Sequence, residues 1–308
     1  MRSAPSPNRC ARRTGSLSPD YLLTQAFNGL VNGAYFALLA LGLSVIFGML
    51  RIVNFAHGAM FMLGAFVAYY GAQLFHLPFY AALIVAPLVV GLFGLLLEVL
   101  FLRSLYKLDP LYGLLFTFAL VLIIEDSMRL AAGALGSPYA APPSLSGVTN
   151  LGFSLFPTYR LFVIGVAIFV CIVVWFVLER TPVGARIRAA TEAPILVRAL
   201  GIDTQRLVSI TFAAGVALAA LAGVLAAPNQ NVEPTMGDKI IINTFAIVVI
   251  GGLGSIGGSV VTGFGLGLLQ TLGAVLFPAF NDTLIFLVMI IVLLIRPSGL
   301  FGTPASAK

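Results

Sequence analysis

The segment from Glu179 to Arg206, ERTPVGARIRAATEAPILVRALGIDTQR, is a polar and basic stretch in a chain that is otherwise strongly apolar. It contains five of the 17 Lys and Arg residues, and an apolar run long enough to cross a membrane lies on each side of it. Because basic loops of membrane proteins are retained on the cytoplasmic side, the segment is predicted to be a cytoplasmic loop. A loop of this length between two spans is also a candidate docking surface.

The composition of the whole chain indicates a membrane protein. Of the 308 residues, 60% are hydrophobic and 9% are charged, and the mean hydropathy is +1.06. A water-soluble domain does not have enough interior to hide that apolar fraction. The apolar runs are continuous and do not alternate with polar residues, so they predict helices rather than a β-barrel. The predicted spans are residues 22–50, 52–74, 79–102, 111–131, 159–178, 207–227, 240–277 and 283–297.

These runs predict an all-α fold, a polytopic transmembrane helical bundle of about eight spans, with one or two broken or re-entrant segments. The run 240–277 is too long for one untilted span. Three parts follow along the chain: a polar N-terminal tail (1–20) expected to be disordered, a transmembrane domain (21–302) that carries the loop 179–206, and a C-terminal tail (303–308). The apolar run after the tail is too long for a signal peptide.

The basic loops also predict an orientation. Arg103 to Lys107 and the loop 179–206 should both be cytoplasmic, and the two spans between them agree with that. The loop around 133–158 then lies outside, and the C-terminus lies inside if 240–277 crosses twice. Three crossings before Arg103 would put the N-terminal tail outside despite its basic charge. A re-entrant early segment is the alternative, and the sequence leaves this open.

Polar side chains inside apolar runs are expensive in a membrane unless they are paired or face a wet cavity. In Arg51 to Gly64, RIVNFAHGAMFMLG, Asn54 and His57 interrupt the apolar run. They are candidates for the lining of a translocation path. The structural alternative for His57 is a helix cap or an interhelical hydrogen bond without contact to a substrate.

Glycine placement marks a second unusual region. Val249 to Val261, VIGGLGSIGGSVV, has five glycines in thirteen residues, so a continuous helix is not expected there. A backbone break at membrane depth is tolerated where protein or a water-filled cavity satisfies the freed groups, and broken helices often mark a translocation site. Tight packing or an ordinary loop is the alternative. Three small-xxx-small pairs, which favour helix packing in lipid, are Gly29/Gly33, Gly254/Gly258 and Gly263/Gly267.

Charged residues near the span ends have simple structural explanations. Glu98 precedes Arg103 and is expected to pair with it or to reach the membrane surface. Glu125, Asp126 and Arg129 form a cluster that predicts a local ion pair, with a polar lining of the path as the alternative.

The sequence offers no support for catalysis. It lacks a GxxxxGK[ST] phosphate loop, an HExxH pair and a nucleophile with a base, and its two cysteines, Cys10 and Cys171, have no metal-binding spacing. No catalytic residue, metal or cofactor is therefore predicted. If ATP drives transport, another subunit must hydrolyse it.

Five tracts in order carry a family resemblance. They are Asn28-Gly29; Asn54 to Gly58 (NFAHG); Gly184 to Ala189 (GARIRA) with Ala199 to Ile202 (ALGI); Gly251 to Gly258 (GGLGSIGG); and Arg296 to Gly302 (RPSGLFG). Together they resemble the LivH-type permeases of bacterial branched-chain amino-acid ABC importers, over about residues 21–302. The resemblance implies a multi-pass permease in the inner membrane without an ATPase site of its own. The implied partners are a second permease of the LivM type, two cytoplasmic ATPases and a periplasmic or lipid-anchored binding protein.

The resemblance makes the loop 179–206 the surface that meets an ATPase. Its candidate coupling residues are Gly184, Arg186, Arg188, Glu192, Ala193, Ile195, Leu196, Ala199, Leu200 and Gly201. Glu192-Ala193 matches the start of the importer coupling motif, but Gly201 comes later than the motif's glycine. The residues alone predict a short amphipathic helix with Pro194 in its first turn and an apolar face for a groove. A helix lying on the membrane surface is the alternative.

The expected mechanism is alternating access driven by ATP in the partner subunits. The candidate substrate-pathway residues are Asn54, His57, Gly251, Gly252, Gly254, Ser255, Gly257 and Gly258. The resemblance gives Leu, Ile and Val as the expected substrates, with urea, short amides or other amino acids as alternatives within the same importer class. Two other classes stay open: a self-sufficient channel or secondary transporter in which His57 or Glu125 relays protons, and a membrane scaffold or sensor without transport.

Overall fold

The computed structural model describes residues 18–50, 54–106, 108–152 and 154–302, and this part of the chain is almost entirely helical. The helices are α1 (Pro19–Leu50), α2 (Ala56–Phe75), α3 (Phe79–Leu97), α4 (Arg103–Leu105), α5 (Pro110–Ala132), α6 (Thr158–Arg180), α7 (Pro182–Glu192), α8 (Pro194–Ala199), α9 (Thr204–Ala226), α10 (Met236–Gly251), α11 (Ile256–Leu276) and α12 (Asn281–Ile295). A π-helical turn, Glu98–Leu102, joins α3 to α4. Two short antiparallel strands, β1 (Val148–Asn150) and β2 (Leu155–Pro157), form a hairpin before α6.

The predicted all-α membrane bundle is confirmed. Among the described residues, seven helical segments are long and apolar enough to cross a membrane, and α12 is a shorter apolar helix. α1 begins at Pro19, so its start lies just ahead of the expected boundary at residue 21. Most of the N-terminal tail and the whole C-terminal tail lie outside the described residues.

The run 240–277 divides into α10 and α11. The chain turns at Gly252 to Ser255, where Gly252 has φ 101° and Gly254 has φ 83°. Side chains with a Cβ rarely adopt these values, so glycine permits the turn. The expected break in this run is therefore present. The prediction that Gly254 and Gly258 form a helix-packing pair is wrong, because Gly254 lies in the turn and only Gly258 lies in α11.

The two ends of the bundle can be told apart by their contacts. We call the end that carries α7 and α8 the inner end and the opposite one the outer end. At the outer end, Arg160 at the start of α6 donates to Asn28 Oδ1 of α1 at 2.7 Å. Ser137 and Val232 form a bridge between two outer loops. The first residues of α1 therefore lie at the outer end, as three successive helices before Arg103 require.

α1 is the central helix, and its packing depends on small residues. It makes its most extensive helix contact with α11, and it also packs on α9. A Cβ placed on Gly267 would lie 2.3 Å from the backbone nitrogen of Gly33, and one on Gly263 would lie 2.7 Å from Cα of Ala37. The expected packing pairs Gly29/Gly33 and Gly263/Gly267 thus face each other across one interface. α3, α5 and α6 instead expose large apolar side chains on the outside of the bundle.

We predict that Gly267→Ala destabilises the bundle by about 1–3 kcal/mol, because the added methyl group forces two helix backbones apart. The measurement is the thermal unfolding midpoint of the purified chain in detergent. Gly265 is the matched control on the same helix, since a Cβ there meets nothing within 4 Å. Equal midpoints for Gly267→Ala and Gly265→Ala would contradict the close approach of α1 and α11.

Candidate functional site

Asn54 and His57 lie where α2 begins, deep inside the bundle. His57 Nε2 is 3.1 Å from the carbonyl oxygen of Leu39, near the middle of α1. The backbone nitrogen of Phe55 donates to Thr117 Oγ1 of α5 at 3.3 Å. The contacts with the middle of α1 place the start of α2 well away from both ends of the bundle, and therefore at membrane depth.

Asn54 and His57 have polar side-chain atoms that make no hydrogen bond within the described part of the chain. The Leu39 carbonyl can only accept, so His57 Nε2 carries the proton, and in a neutral ring Nδ1 is then an acceptor. His57 Nδ1 and both polar atoms of the Asn54 side chain have no partner among the described residues. Asn54 is 2% exposed and His57 is fully buried. The interhelical hydrogen bond that was the alternative for His57 is present, and a second ring nitrogen is left over.

The glycine-rich stretch lies at the inner end, and other parts of the chain cover it. The backbone nitrogens of Leu300 and Phe301 donate to the carbonyls of Ile250 and Gly251 at 2.8 and 3.1 Å, so they satisfy the last carbonyls of α10. Ser255 caps α11 by accepting from the backbone nitrogen of Gly258 at 3.2 Å. Of the two expected possibilities, protein and a water-filled cavity, protein satisfies these backbone groups, and the stretch is tightly packed. Contact of these residues with a substrate stays a prediction.

The polar pair and the glycine-rich turn are separate in space. α1 contacts both of them: Gly42 packs against the His57 ring, and Gly48 packs against Gly254. Six residues of helix between these two contacts correspond to about 9 Å along the axis. The structure therefore does not bring all the candidate pathway residues together in one site.

The loop 179–206 forms two helices, α7 and α8, and the expected short helix with Pro194 in its first turn is present. α7 is held against the end of α6, because Arg188 Nη1 donates to the carbonyl of Leu178 at 2.6 Å. Gly184 is pressed against the same carbonyl, and a Cβ there would lie 1.7 Å from the oxygen. Tight backbone contact therefore fixes where the loop begins.

α8, with Leu200 directly after it, presents an apolar face that none of the described residues covers. Ile195 is 84%, Leu200 72% and Leu196 62% exposed, whereas Val197 is 4% exposed and anchors the helix. Gly201, with φ 81°, ends it. Arg186, Glu192 and Ala199 lie on α7 and α8, and Ala193 joins the two helices. A docking role for this face remains a prediction, but its exposure is the geometry that such a role needs.

The charged clusters adopt the expected pairs. Arg129 forms ion pairs with Glu125 at 2.5 Å and with Asp126 at 3.2 Å. Glu98 pairs with Arg103 at 3.4 Å, and the expected pairing is therefore confirmed. Sequence reasoning did not anticipate Ser209 of α9, which donates to Glu98 Oε2 at 2.5 Å. No local pattern connects two residues that lie 111 positions apart.

A family model and several curated proteins match this chain. The family model described as "Branched-chain amino acid transport system / permease component" matches residues 25–293. The permease protein LivH of Salmonella typhimurium, from a high-affinity branched-chain amino acid transport system, is 30% identical over 94% of this chain and 98% of its own length. BraD of Pseudomonas aeruginosa, a permease protein of a system with the same description, is 30% identical with the same coverage.

A second type of permease protein matches over a shorter region. LivM of Escherichia coli K12 is 27% identical over 71% of this chain and 57% of its own length. No solved structure matches the chain significantly. The family match covers most of the chain, including the start of α2, the glycine-rich turn and the loop 179–206. The chain therefore belongs to the family of permease components of branched-chain amino acid transport systems.

Proposed function

We propose that this chain is the permease subunit of an ATP-driven importer of the branched-chain amino acids Leu, Ile and Val in a bacterial inner membrane. Family membership supports the transport function, and the names of the LivH and BraD relatives support the substrate class. The structural observation behind the proposal is the buried Asn54 side chain just before α2, whose polar atoms have no partner within the described part of the chain. Polar side chains inside a membrane protein commonly mark a substrate or ion pathway.

The polar groups of Asn54 and His57 suit the charged end of an amino acid. A zwitterion needs donors for its carboxylate and acceptors for its ammonium group. The Asn54 amide provides both, and His57 Nδ1 provides a further acceptor. The N-terminus of α2 adds backbone donors and the positive end of a helix dipole, which favour a carboxylate. Because the pair is closed to solvent in this structure, access requires movement of the surrounding helices.

In this proposal, ATP bound by separate subunits supplies the energy for that movement. Two cytoplasmic ATPase subunits close on ATP, and the exposed face of α8 inserts into a groove on one of them. A second permease of the LivM type completes the path, and a periplasmic or lipid-anchored binding protein delivers the substrate. ATP shifts the conformational equilibrium only by its different affinities for the two states, so α8 must be coupled to the bundle. The chain itself needs no cofactor or metal.

We predict that Asn54→Leu lowers leucine uptake by at least about tenfold while thermal stability stays equal or rises. Burying an unsatisfied amide costs about 1–3 kcal/mol, and leucine of similar size removes that cost. Uptake is measured in proteoliposomes that contain the assembled importer, and stability is measured on the purified chain. An effect on transport with no loss of stability separates substrate contact from a structural role.

Asn32 is the matched control for this variant. Its amide donates to Thr271 Oγ1 at 3.2 Å across the contact between α1 and α11. Asn32→Leu should therefore lower stability and leave uptake per folded complex unchanged. Normal uptake by Asn54→Leu at normal abundance would remove Asn54 from the pathway.

We predict that the double change Ile195→Asp and Leu200→Asp lowers ATP-dependent uptake by at least about tenfold, because a carboxylate cannot be buried in an apolar groove without a partner. Co-purification of the ATPase subunits with the permease should fall in parallel. Leu135→Asp is the control, since Leu135 is 86% exposed in an outer loop, far from α8. Wild-type co-purification with the double variant would contradict docking through α8 and favour a helix that lies on the membrane.

The substrate and the energy source are tested together by uptake of labelled leucine, urea and a short amide into proteoliposomes with and without ATP. Leucine uptake that needs ATP and the ATPase subunits is the expected result. Uptake of urea or the amide alone would keep the importer and overturn the substrate. Flux driven by an ion gradient without the ATPases would overturn the importer, and assembly without any flux would favour a scaffold.

A further inference from the structure

A second polar cluster lies at the inner end of the bundle, in and after the π-helical turn. Glu98 is 1% exposed, and its Oε2 atom accepts from Ser209 Oγ at 2.5 Å and from Arg103 Nη2 at 3.4 Å. Glu98 Oε1, Arg103 Nε and the Tyr106 hydroxyl have no hydrogen bond partner among the described residues. Several buried polar atoms without a hydrogen bond in one place require an explanation, since buried polar groups are normally hydrogen-bonded.

The Tyr106 hydroxyl can act as a donor in this cluster. Burial of the ring raises the pKa of the phenol, and the nearby Glu98 carboxylate raises it further. The hydroxyl therefore stays protonated at physiological pH. The Glu98 carboxylate lies close to the hydroxyl, but the two do not form a hydrogen bond of normal geometry, so Tyr106 can donate either to Glu98 or to a ligand.

The cluster borders a cavity of about 400 Å³ between the bundle and the loop 179–206. This volume lies within the range of about 300–1,000 Å³ that is usual for small-molecule sites. Glu98, Arg103 and Tyr106 line the bundle side, and Met49, Leu50 and Val208 form an apolar wall. The loop contributes Ala190, Thr191, Pro194 and Arg198. A ligand here would contact the transmembrane helices and α8 at the same time.

The charges around the cavity indicate what kind of ligand fits. Glu98 is paired with Arg103. Arg198 donates from Nε to Thr204 Oγ1 at 2.7 Å and has no ion pair among the described residues. Arg198 can therefore pair with an anionic group of a ligand, and Glu98 Oε1 can accept from a donor. A molecule that carries a carboxylate, an ammonium group and an aliphatic side chain meets all three parts of the lining.

We propose that this cavity is a cytoplasmic binding site for a branched-chain amino acid, which bridges Glu98 of the bundle and Arg198 of α8 and thereby inhibits further import. The proposal rests on the proposed function for the identity of the ligand. Its ammonium group donates to Glu98, its carboxylate accepts from Arg198, and its side chain lies on Met49, Leu50 and Val208. The occupied site holds α8 against the bundle, so accumulated product slows the movement that transport requires.

The binding test uses the full chain in phospholipid nanodiscs and labelled L-leucine. We expect saturable binding that Glu98→Gln and Arg198→Gln each weaken by at least about tenfold, because each removes one charged partner. Arg198 is exposed but donates to the buried Thr204 hydroxyl, so the thermal stability of Arg198→Gln is measured alongside its binding. Arg206→Gln is the matched control and should bind normally, because Arg206 is 84% exposed, pairs with Asp203 at 2.9 Å and lies outside the cavity lining.

Two analogues and one further variant define the ligand and the location. 3-Methylbutylamine lacks the carboxylate and 4-methylpentanoate lacks the ammonium group, so both should compete at least about tenfold more weakly than leucine. Asn54→Leu should leave this binding intact. Equal binding of either analogue, retention of binding in both cavity variants, or its loss only in Asn54→Leu would overturn the assignment.

The inhibition test uses proteoliposomes of the assembled importer, loaded internally with leucine or, as a control, with glycine. Internal leucine should slow the initial uptake of labelled leucine in the wild type and slow it much less in Arg198→Gln, each compared with its own glycine control. Equal slowing in both would overturn the inference and leave the importer intact. Leucine binding that needs Glu98 and Arg198 in a chain whose complex imports no leucine would instead overturn the proposed function.

Discussion

The bundle depends on close backbone contact between α1 and its neighbours. Lipid is as apolar as the side chains, so it supplies no hydrophobic drive for helix association, and van der Waals contact must hold the helices together. α1 achieves this contact with α11 through Gly33 and Gly267, and with α9 through Gly42 and Gly215. The same helix touches the His57 ring at mid-depth and the glycine-rich turn at the inner end. A shift of α1 along or about its axis therefore reaches both places.

The tightly packed apolar interior also contains two polar clusters. One is Asn54 with His57 at mid-depth, and the other is Glu98 with Arg103 and Ser209 near the inner end. Apolar residues of similar size would pack as well and would avoid the cost of burying polar atoms. In each cluster a hydrogen bond holds one side chain, His57 to Leu39 and Glu98 to Ser209, and a second polar atom of that side chain has no partner among the described residues. This combination of a fixed position and unused capacity is what ligand recognition in a low-dielectric interior requires.

The sequence could predict most of the fold because its main determinants are local. Lengths of apolar runs determine spans, five glycines in Val249 to Val261 predict a break, and Pro194 marks the start of a helix. The partners of these features could not be predicted, because they depend on tertiary packing. The carbonyls at Ile250 and Gly251 are satisfied by Leu300 and Phe301, about fifty residues further along the chain.

The candidate site was predictable only as a set of residue types. Polar residues in an apolar run identified Asn54 and His57, but the run could not give the orientation of the His57 ring or the closure of the pair to solvent. The pair and the glycine-rich turn were predicted to contribute to one substrate pathway, whereas the structure places them at different depths along α1. Glu98 was predicted to pair with Arg103, and Ser209 on another helix was not foreseen. Contacts between distant segments account for each of these differences.

The loop 179–206 is connected to the centre of the bundle by short and specific contacts. α8 has only six residues, too few for an isolated helix to be stable, so its neighbours must determine its position. Val197 is buried beneath it, Arg198 bonds to Thr204 in the first turn of α9, and Asp203 caps that turn through the backbone nitrogens of Gln205 and Arg206. α9 then packs on α1, α2 and α3. A movement of α8 therefore acts on α9 through the hydrogen bond between Arg198 and Thr204. α9 in turn packs on α1, which bonds to His57 through Leu39, and on α2, which carries His57.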